Sequence, residues 1–560
     1  MMDLIHSIVA MVHTLWRIAV QLSFYAGVLT LTSLSVPSAP SADIVDVGYA
    51  KYLGNRSFPN TVAYLGIPYA EPPLGEQRWR APLPLNTARV QKSTGGRVVD
   101  ATVYPDFCVQ GSTGGGDAGG AGSEDCLKVN IYAPAGAKST DKLPVLVYIH
   151  GGGYTFGNPR NWPFDHWINQ VPHVVIVSVY YRLDAFGFLS HPAFSSPSVG
   201  DFNVGFLDQT EALRWVQKHI SAFGGDPARV TINGESAGGS SIELHLVAPH
   251  NDGLFHGAIA QSVYRAPLPT PDQQEPLFNF LSEQAGCGSG SVTAQMSCLR
   301  KGSISAIARA QDAALNTTAF TNQYNAFHPV QDPRSIPVLP TTSILNGDFH
   351  VVPLLVGSTS NESLGVTGGS TIPTALKGFF PQLTENDINE YLAEYPASDF
   401  ASSSQQMQVA VGESQLICAR EIMGGAFAKK TNVFTYRYNQ PNPTSGSDVV
   451  AHAAENWMMF KGTNTGVNGT TTFTPMTPVQ TAFAEELIAY WLSFVRSGNP
   501  NTFKLARSPT WPGYDANQKL RVVLQQGPDP TSSGSQIETE PNLESQRCVF
   551  VASKSVIEQD

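Results

Sequence analysis

A serine set between glycines at the end of an apolar run constrains this chain more than any other feature. Arg229-Val-Thr-Ile-Asn233 reads as a short strand, and it runs directly into Gly234-Glu-Ser-Ala-Gly238 and Gly239. A G-x-S-x-G sequence at a strand-to-helix junction predicts a sharp turn that holds its serine in a strained conformation and lifts the hydroxyl clear of the sheet. Small neighbours are required because the adjacent segments approach too closely for a side chain. The pentapeptide alone also fits a Gly-rich turn with a solvent-facing serine. Here Phe223-Gly-Gly-Asp-Pro-Ala precedes the strand, so helix end, loop, strand and turn come in the required order. That context makes Ser236 the candidate nucleophile.

A second glycine cluster, His150-Gly-Gly-Gly-Tyr154, follows the run Leu143-Pro-Val-Leu-Val-Tyr-Ile149. Successive glycines leave backbone N–H groups unobstructed, and such groups stabilise the oxyanion formed when a serine attacks a carbonyl. Gly152, Gly153 and Ala237 are the expected donors. A flexible hinge is the alternative for the glycines taken alone. His150 precedes the nucleophile and is expected to be structural.

Leu143–Ile149 and Val174–Tyr180 are dense in β-branched and aromatic residues, as strands buried on both faces should be. Asp208–Ile220 is predicted helical, with Leu213, Val216 and Ile220 on one face and Asp208 and Glu211 in the first turn. Further strand-like runs follow at Val351–Gly357 and Val433–Tyr438. The alternation implies an α/β fold with a large, mainly parallel central sheet and helices on both faces. In such sheets the active site forms at the carboxyl ends of the strands.

Chain order then selects the base. A triad in such a fold runs serine, acid, histidine. His452, in Asp448-Val-Val-Ala-His-Ala-Ala-Glu455, is the one histidine beyond residue 350 and sits at a strand exit. His245, His250 and His256 lie too near the turn, whereas His328 and His350 survive only if the acid precedes them. Glu362, at the carboxyl end of the run Val351–Gly357, is the favoured acid, to hold the histidine tautomer. Glu385, Asp387 and Glu390 lie in polar helical stretches and read as solvated faces.

The composition agrees with a large catalytic domain. The 560 residues are 42% hydrophobic and 14% charged, ample for a buried core, and the net charge of -11 argues against a nucleic-acid partner. Ile18 to Val36 carries no charge, with Arg17 before it and Pro37-Ser-Ala-Pro-Ser-Ala42 after it. This describes a secretory signal peptide over residues 1–42, ahead of one domain over 43–560. A span of about 19 residues could also serve as a membrane anchor. Export is supported by an even set of cysteines, Cys108, Cys126, Cys287, Cys298, Cys418 and Cys548, whose pairing the spacing does not settle. It is also supported by N-x-S/T sequons at Asn55, Asn316, Asn361 and Asn468. Neither a metal-ligand cluster nor a nucleotide loop is visible, so no cofactor and no obligate protein partner are expected.

With these residues in hand, the chain resembles the type-B carboxylesterase/lipase family, which includes the cholinesterases and non-enzymatic adhesion homologues. Phe223-Gly-Gly-x4-Val230-x-Ile232-x-Gly-Glu-Ser-Ala-Gly238 matches its serine signature, and Glu124-Asp-Cys-Leu-Lys-Val-Asn-Ile-Tyr-Ala-Pro134 its second, with an unusual Lys128. The likeness continues through Asn203–Gln209, Tyr490–Phe494 and Arg547–Phe550. It implies an α/β-hydrolase fold, with Glu362 as acid, His452 as base, and disulfides 108–126, 287–298 and 418–548. The family usually has Asp-Glu-Gly or Asp-Glu-Ala where this chain has Asn361-Glu362-Ser363, which bears on local hydrogen bonding and speaks against a glycan at Asn361.

The resemblance implies a carboxylic ester hydrolase acting through an acyl-enzyme on a small-molecule or lipid ester. The alternatives are a lipase or sterol-ester hydrolase, or an adhesion-type homologue, which would lack triad members that are present here. Binding quaternary ammonium needs an aromatic face, and the segment Val109–Asp125 contains no aromatic residue. Choline esters are therefore disfavoured, and Glu235 is assigned no role beyond the turn. The same segment is short and Gly-rich, unlike an amphipathic lid, so an esterase is expected over an interfacially activated lipase.

Overall fold

The computed structural model describes residues 43–110, 122–317, 320, 327–363, 370–465 and 471–560. The expected leader over residues 1–42 lies outside them, as do Asn468 and most of the segment between Cys108 and Cys126.

The strands Leu143–Ile149 and Val175–Val179 form as expected, and their pattern explains their place. Side chains alternate across a strand. Val145, Val147 and Ile149 enter one apolar cluster, while Leu146 and Tyr148 enter another on the opposite face. Val175, Val177 and Val179 divide from Ile176 in the same way. A strand buried on both faces must lie inside a sheet covered by helices. Across the sheet the order is Ile44–Asp46, Lys51–Phe58, Thr61–Pro68, Lys128–Pro134, Val175–Val179, Leu143–Ile149, Gly225–Glu235, Gly257–Gln261, Leu354–Thr359, Val433–Tyr438, Leu520–Leu524 and Gln536–Thr539. From Val175–Val179 to Leu520–Leu524 every pairing is parallel, and the flanking pairs in this order are antiparallel, while Val98–Ala101 joins Lys51–Phe58 in parallel off this path.

Helices cover both faces. Val204–His219 and Ala237–Val247 place Leu213, Val216, Ile242 and Leu246 in the first cluster. Pro478–Ser497 places Leu487, Trp491 and Phe494 in the second. Three disulfides, Cys108–Cys126, Cys287–Cys298 and Cys418–Cys548, join the cysteines in the pairs that the resemblance implied. Among the described residues, no helix is long and apolar enough to cross a membrane.

Two expected boundaries are corrected. The helix expected at Asp208 begins at Val204 instead, so Asp208 and Glu211 do not sit in its first turn. The reason is tertiary. Asp208 is fully buried and accepts hydrogen bonds from Arg182 Nε (2.8 Å), Arg182 Nη2 (2.7 Å) and the Arg182 backbone N–H (3.1 Å). Asp208 is therefore one half of a buried ion pair, not a solvated partner of the helix dipole. The strand expected over Val351–Gly357 runs instead over Leu354–Thr359. Pro353 has no N–H to give a ladder, and the pairing starts just after it. The later end brings the strand to the edge of the turn that carries Glu362.

Candidate active site

The turn at Ser236 is built from close backbone approaches. Ser236 has φ 59° and ψ -123°, a conformation that costs a non-glycine residue about 1–3 kcal/mol and persists only where its surroundings enforce it. Those surroundings are glycines. A Cβ on Gly238 would lie 2.1 Å from the Ile149 carbonyl oxygen, and one on Gly234 would lie 2.4 Å from Gly238. The Ser236 N–H donates to the Gln261 carbonyl at 3.0 Å, and its own carbonyl accepts from Ser240 at 2.8 Å, starting the helix Ala237–Val247. Ser236 is thereby pinned between two parallel strands at their carboxyl ends.

The glycine run after Leu143–Ile149 lies against this turn. A Cβ on Gly151 would meet the Glu235 carbonyl oxygen at 2.5 Å. Gly152 and Gly153 take φ 107° and 62°, conformations that glycine adopts without strain. His150 anchors the loop from beneath. Its ring stacks on Tyr181 and Trp162, with centroids 4.5 Å and 5.6 Å away, and its Nδ1 is 2.8 Å from the Gly151 carbonyl oxygen. Burial pushes its pKa down to about 4, so the ring is neutral.

From the other side come the acid and the histidine. His452 Nε2 is 2.7 Å from Ser236 Oγ, and His452 Nδ1 is 2.6 Å from Glu362 Oε2. Glu362 is fully buried, and its second oxygen accepts the Thr359 backbone N–H at 2.9 Å. Burial alone would raise this carboxyl group. The opposing charge and hydrogen bond of His452, with the Thr359 N–H, outweigh it and hold Glu362 below the usual carboxylate range. For His452 burial favours the neutral ring, but the Glu362 and Glu235 carboxylates prevail and raise its pKa to about 9.

The other histidines considered from chain order lie elsewhere. His328 is buried, with Nδ1 3.1 Å from the Pro329 carbonyl oxygen. His350 faces the Ala248 carbonyl and Asp252. Glu385, Asp387 and Glu390 lie in the helix Glu385–Glu394, where Asp387 and Glu390 pair with Lys554.

Glu235 differs from its expected role as a mere part of the turn. Its Oε1 lies 3.4 Å from His452 Nε2, and its Oε2 accepts from Asn456 Nδ2 at 3.0 Å. Behind it Glu455 accepts from Gln261 Nε2 at 3.4 Å, and burial raises its carboxyl pKa to about 8. Glu235 adjoins Ser236 in the sequence and Glu455 follows His452 by three residues, but nothing in the chain signals that both are buried around His452. A cavity of about 300 Å³ opens over these groups, lined by Gly152, Gly153, Phe156, Trp162, Ser236, Tyr264, His452 and Asn456 among others. Its aromatic walls come from loops with no periodic signal. Among the described residues, no group of three or more His, Cys, Asp or Glu side chains is placed to hold a metal ion.

Comparison with known proteins agrees with this architecture. Residues 41–551 match the model of the carboxylesterase family. The acylcarnitine hydrolase of Mus musculus is 30% identical over 503 residues, covering 82% of this chain and 83% of that protein. The fumonisin B1 esterase of Sphingopyxis macrogoltabida is 30% identical over 475 residues, covering 83% of each. The crystal structure of Aspergillus niger EstA has a TM-score of 0.79 at 29% identity, covering 93% of this chain and 99% of that one. With this sheet, this turn and this breadth of likeness, the chain belongs to the carboxylesterase family and is a carboxylic ester hydrolase of the α/β-hydrolase fold.

Proposed function

We propose that Ser236, His452 and Glu362 form a catalytic triad that hydrolyses small-molecule carboxylic esters through an acyl-enzyme. The reading is carried by one observation: an unbroken hydrogen-bonded line runs from Ser236 Oγ through both ring nitrogens of His452 to Glu362, beside a glycine loop. Neutral His452 takes the Ser236 proton as Oγ attacks the ester carbonyl. The N–H groups of Gly152, Gly153 and Ala237 receive the developing oxyanion. The imidazolium, held by Glu362, returns its proton to the leaving alcohol, and water repeats the sequence on the acyl-enzyme. Replacing Ser236 with Ala should lower kcat by roughly four to six orders of magnitude. An organophosphonate should label Ser236 alone; labelling elsewhere, in a Ser236→Ala enzyme that still turns over, refutes the assignment.

The electrostatics set a pH dependence. The base must be neutral to act, so a raised His452 pKa means that activity is lost as pH falls through that raised value. The midpoint of kcat/KM should therefore lie above the ordinary histidine value of 6.5, toward 9. Replacing Glu235 with Gln removes one of the charges that stabilise the imidazolium and should move the midpoint down. A midpoint at or below 6.5 that ignores this substitution contradicts the account.

Soluble esters are favoured over oil surfaces. The segment Val109–Asp125 has one sizeable apolar side chain, Val109, which is buried, and its glycines disfavour a helix by about 1 kcal/mol each. Turnover of a short triglyceride should saturate normally as its concentration crosses the solubility limit. A several-fold rise at the onset of emulsion would reverse the preference for esterase over lipase.

Export completes the proposal, with residues 1–42 as a cleaved leader and 43–560 as one catalytic domain. Three disulfides fit an oxidising compartment, and the sequons at Asn55 and Asn316 are exposed. Peptide mapping of secreted material should find no peptide from before about residue 38 and should find glycans at Asn55, Asn316 and Asn468. An intact N-terminus on membrane-bound protein would favour the anchor.

A further inference from the structure

We propose that Asn361 is a positioning residue that clamps the acid-bearing turn to the histidine-bearing loop; the proposal rests on the triad reading above. Asn361 stands immediately before the acid, where the sequence departs from the family pattern. Its backbone N–H donates to the Val450 carbonyl at 3.1 Å, and its side-chain Oδ1 accepts the Val450 N–H at 3.1 Å. One residue therefore makes a two-point bridge between the segment carrying Glu362 and the segment carrying His452.

The bridge matters because of what lies on either side. On the acid side the turn is already fixed. The Ser360 N–H donates to the Tyr438 carbonyl at 3.0 Å, and Arg437 Nη1 donates to Ser360 Oγ at 2.7 Å. The Glu362 backbone is packed so tightly that a Cβ on Gly412 would lie 1.8 Å from its carbonyl oxygen. On the base side, Thr444 to Val449 is a run of exposed residues, and Val450 is the first buried residue before His452. Thr444 Oγ1 holds the far end of this loop through Asn464 Oδ1 at 2.8 Å, and Val450, held by Asn361, is its buried tie on the side of His452. His452 then follows before the helix Ala454–Met459. Without the Asn361 side chain, His452 would keep its anchor on the helical side and lose half of the bridge on the other.

The amide suits this place. An aspartate offers the same acceptor geometry but adds a negative charge beside Glu362. Asn361 makes the hydrogen bond without that charge.

Three variants of the full chain test the clamp through kcat and KM on one soluble ester. Asn361→Ala should lower kcat roughly ten- to a hundred-fold, the scale set by a small misplacement of a catalytic group, with KM changed less than about two-fold. Asn361→Asp restores the acceptor and should recover kcat to within about three-fold of the parent. Ser363→Ala abolishes the sequon, leaves the clamp and should retain full kcat. Parental kcat in Asn361→Ala overturns the proposal, as does equal impairment of Asn361→Ala and Asn361→Asp. Loss of activity in Ser363→Ala that matches Asn361→Ala would assign the effect to a glycan instead. If Asn361→Ala does not fold, Asn361→Asp decides: a loss greater than ten-fold despite the retained acceptor overturns the clamp. Failure of the triad reading is read separately, as persistent activity in Ser236→Ala.

Discussion

The site depends on one backbone contact, the approach of Gly238 to the carbonyl of Ile149. No side chain fits there, since a Cβ would stand 2.1 Å from that oxygen. The contact joins the helix leaving Ser236 to the strand that carries the glycine loop. Gly151 meets Glu235 in the same manner on the other side of the turn. Ser236 and the glycine loop are therefore positioned by main chain against main chain. The strain of Ser236 at φ 59° is sustained because both neighbouring strands are locked into a parallel sheet buried on its two faces.

Around this rigid point the electrostatics are crowded. Glu362, Glu235 and Glu455 are all buried near a single histidine. Burial drives each carboxyl toward its neutral form, and the imidazole and local hydrogen bonds oppose it to different degrees. Glu362 touches Nδ1 at 2.6 Å and is held ionised, whereas Glu455 is pushed up to about 8. The histidine consequently has one firm ionised partner and a weaker second in Glu235. This difference between carboxylates of similar burial follows the partners each one has: Glu362 has the imidazole at 2.6 Å, whereas burial and the neighbouring carboxylates dominate at Glu455.

The loops around the site follow a division of labour. The acid-side turn is fixed by the sheet, through Ser360 and Tyr438, and by tight packing on Gly412. The histidine sits at the end of an exposed loop and takes its position from whatever holds Val450 and the helix Ala454–Met459. A histidine at the end of an exposed loop has to take its orientation from its neighbours.

Several of these features were legible in the sequence because they are local. The turn at Ser236 requires small residues at fixed offsets, and near-continuous β-branched and aromatic runs require a doubly covered strand, so both are written in consecutive positions. Chain order and strand exits marked His452 and Glu362 without any knowledge of distance. Local signals misjudged Asp208, whose partner Arg182 is remote in the chain, and the start of the strand at Leu354, which Pro353 sets. They gave no role to Glu235, Glu455 or Asn361, although each stands within three residues of a group that was recognised. The sequence determined the fold, the chain order of Ser236, Glu362 and His452 and the glycine turns, because backbone conformation and periodicity are properties of neighbouring residues. Which second carboxylate stands beside His452, which aromatic rings line the cavity and what tethers the histidine loop were decided only by tertiary structure, because each depends on a distance between segments that the chain separates and the sheet brings together.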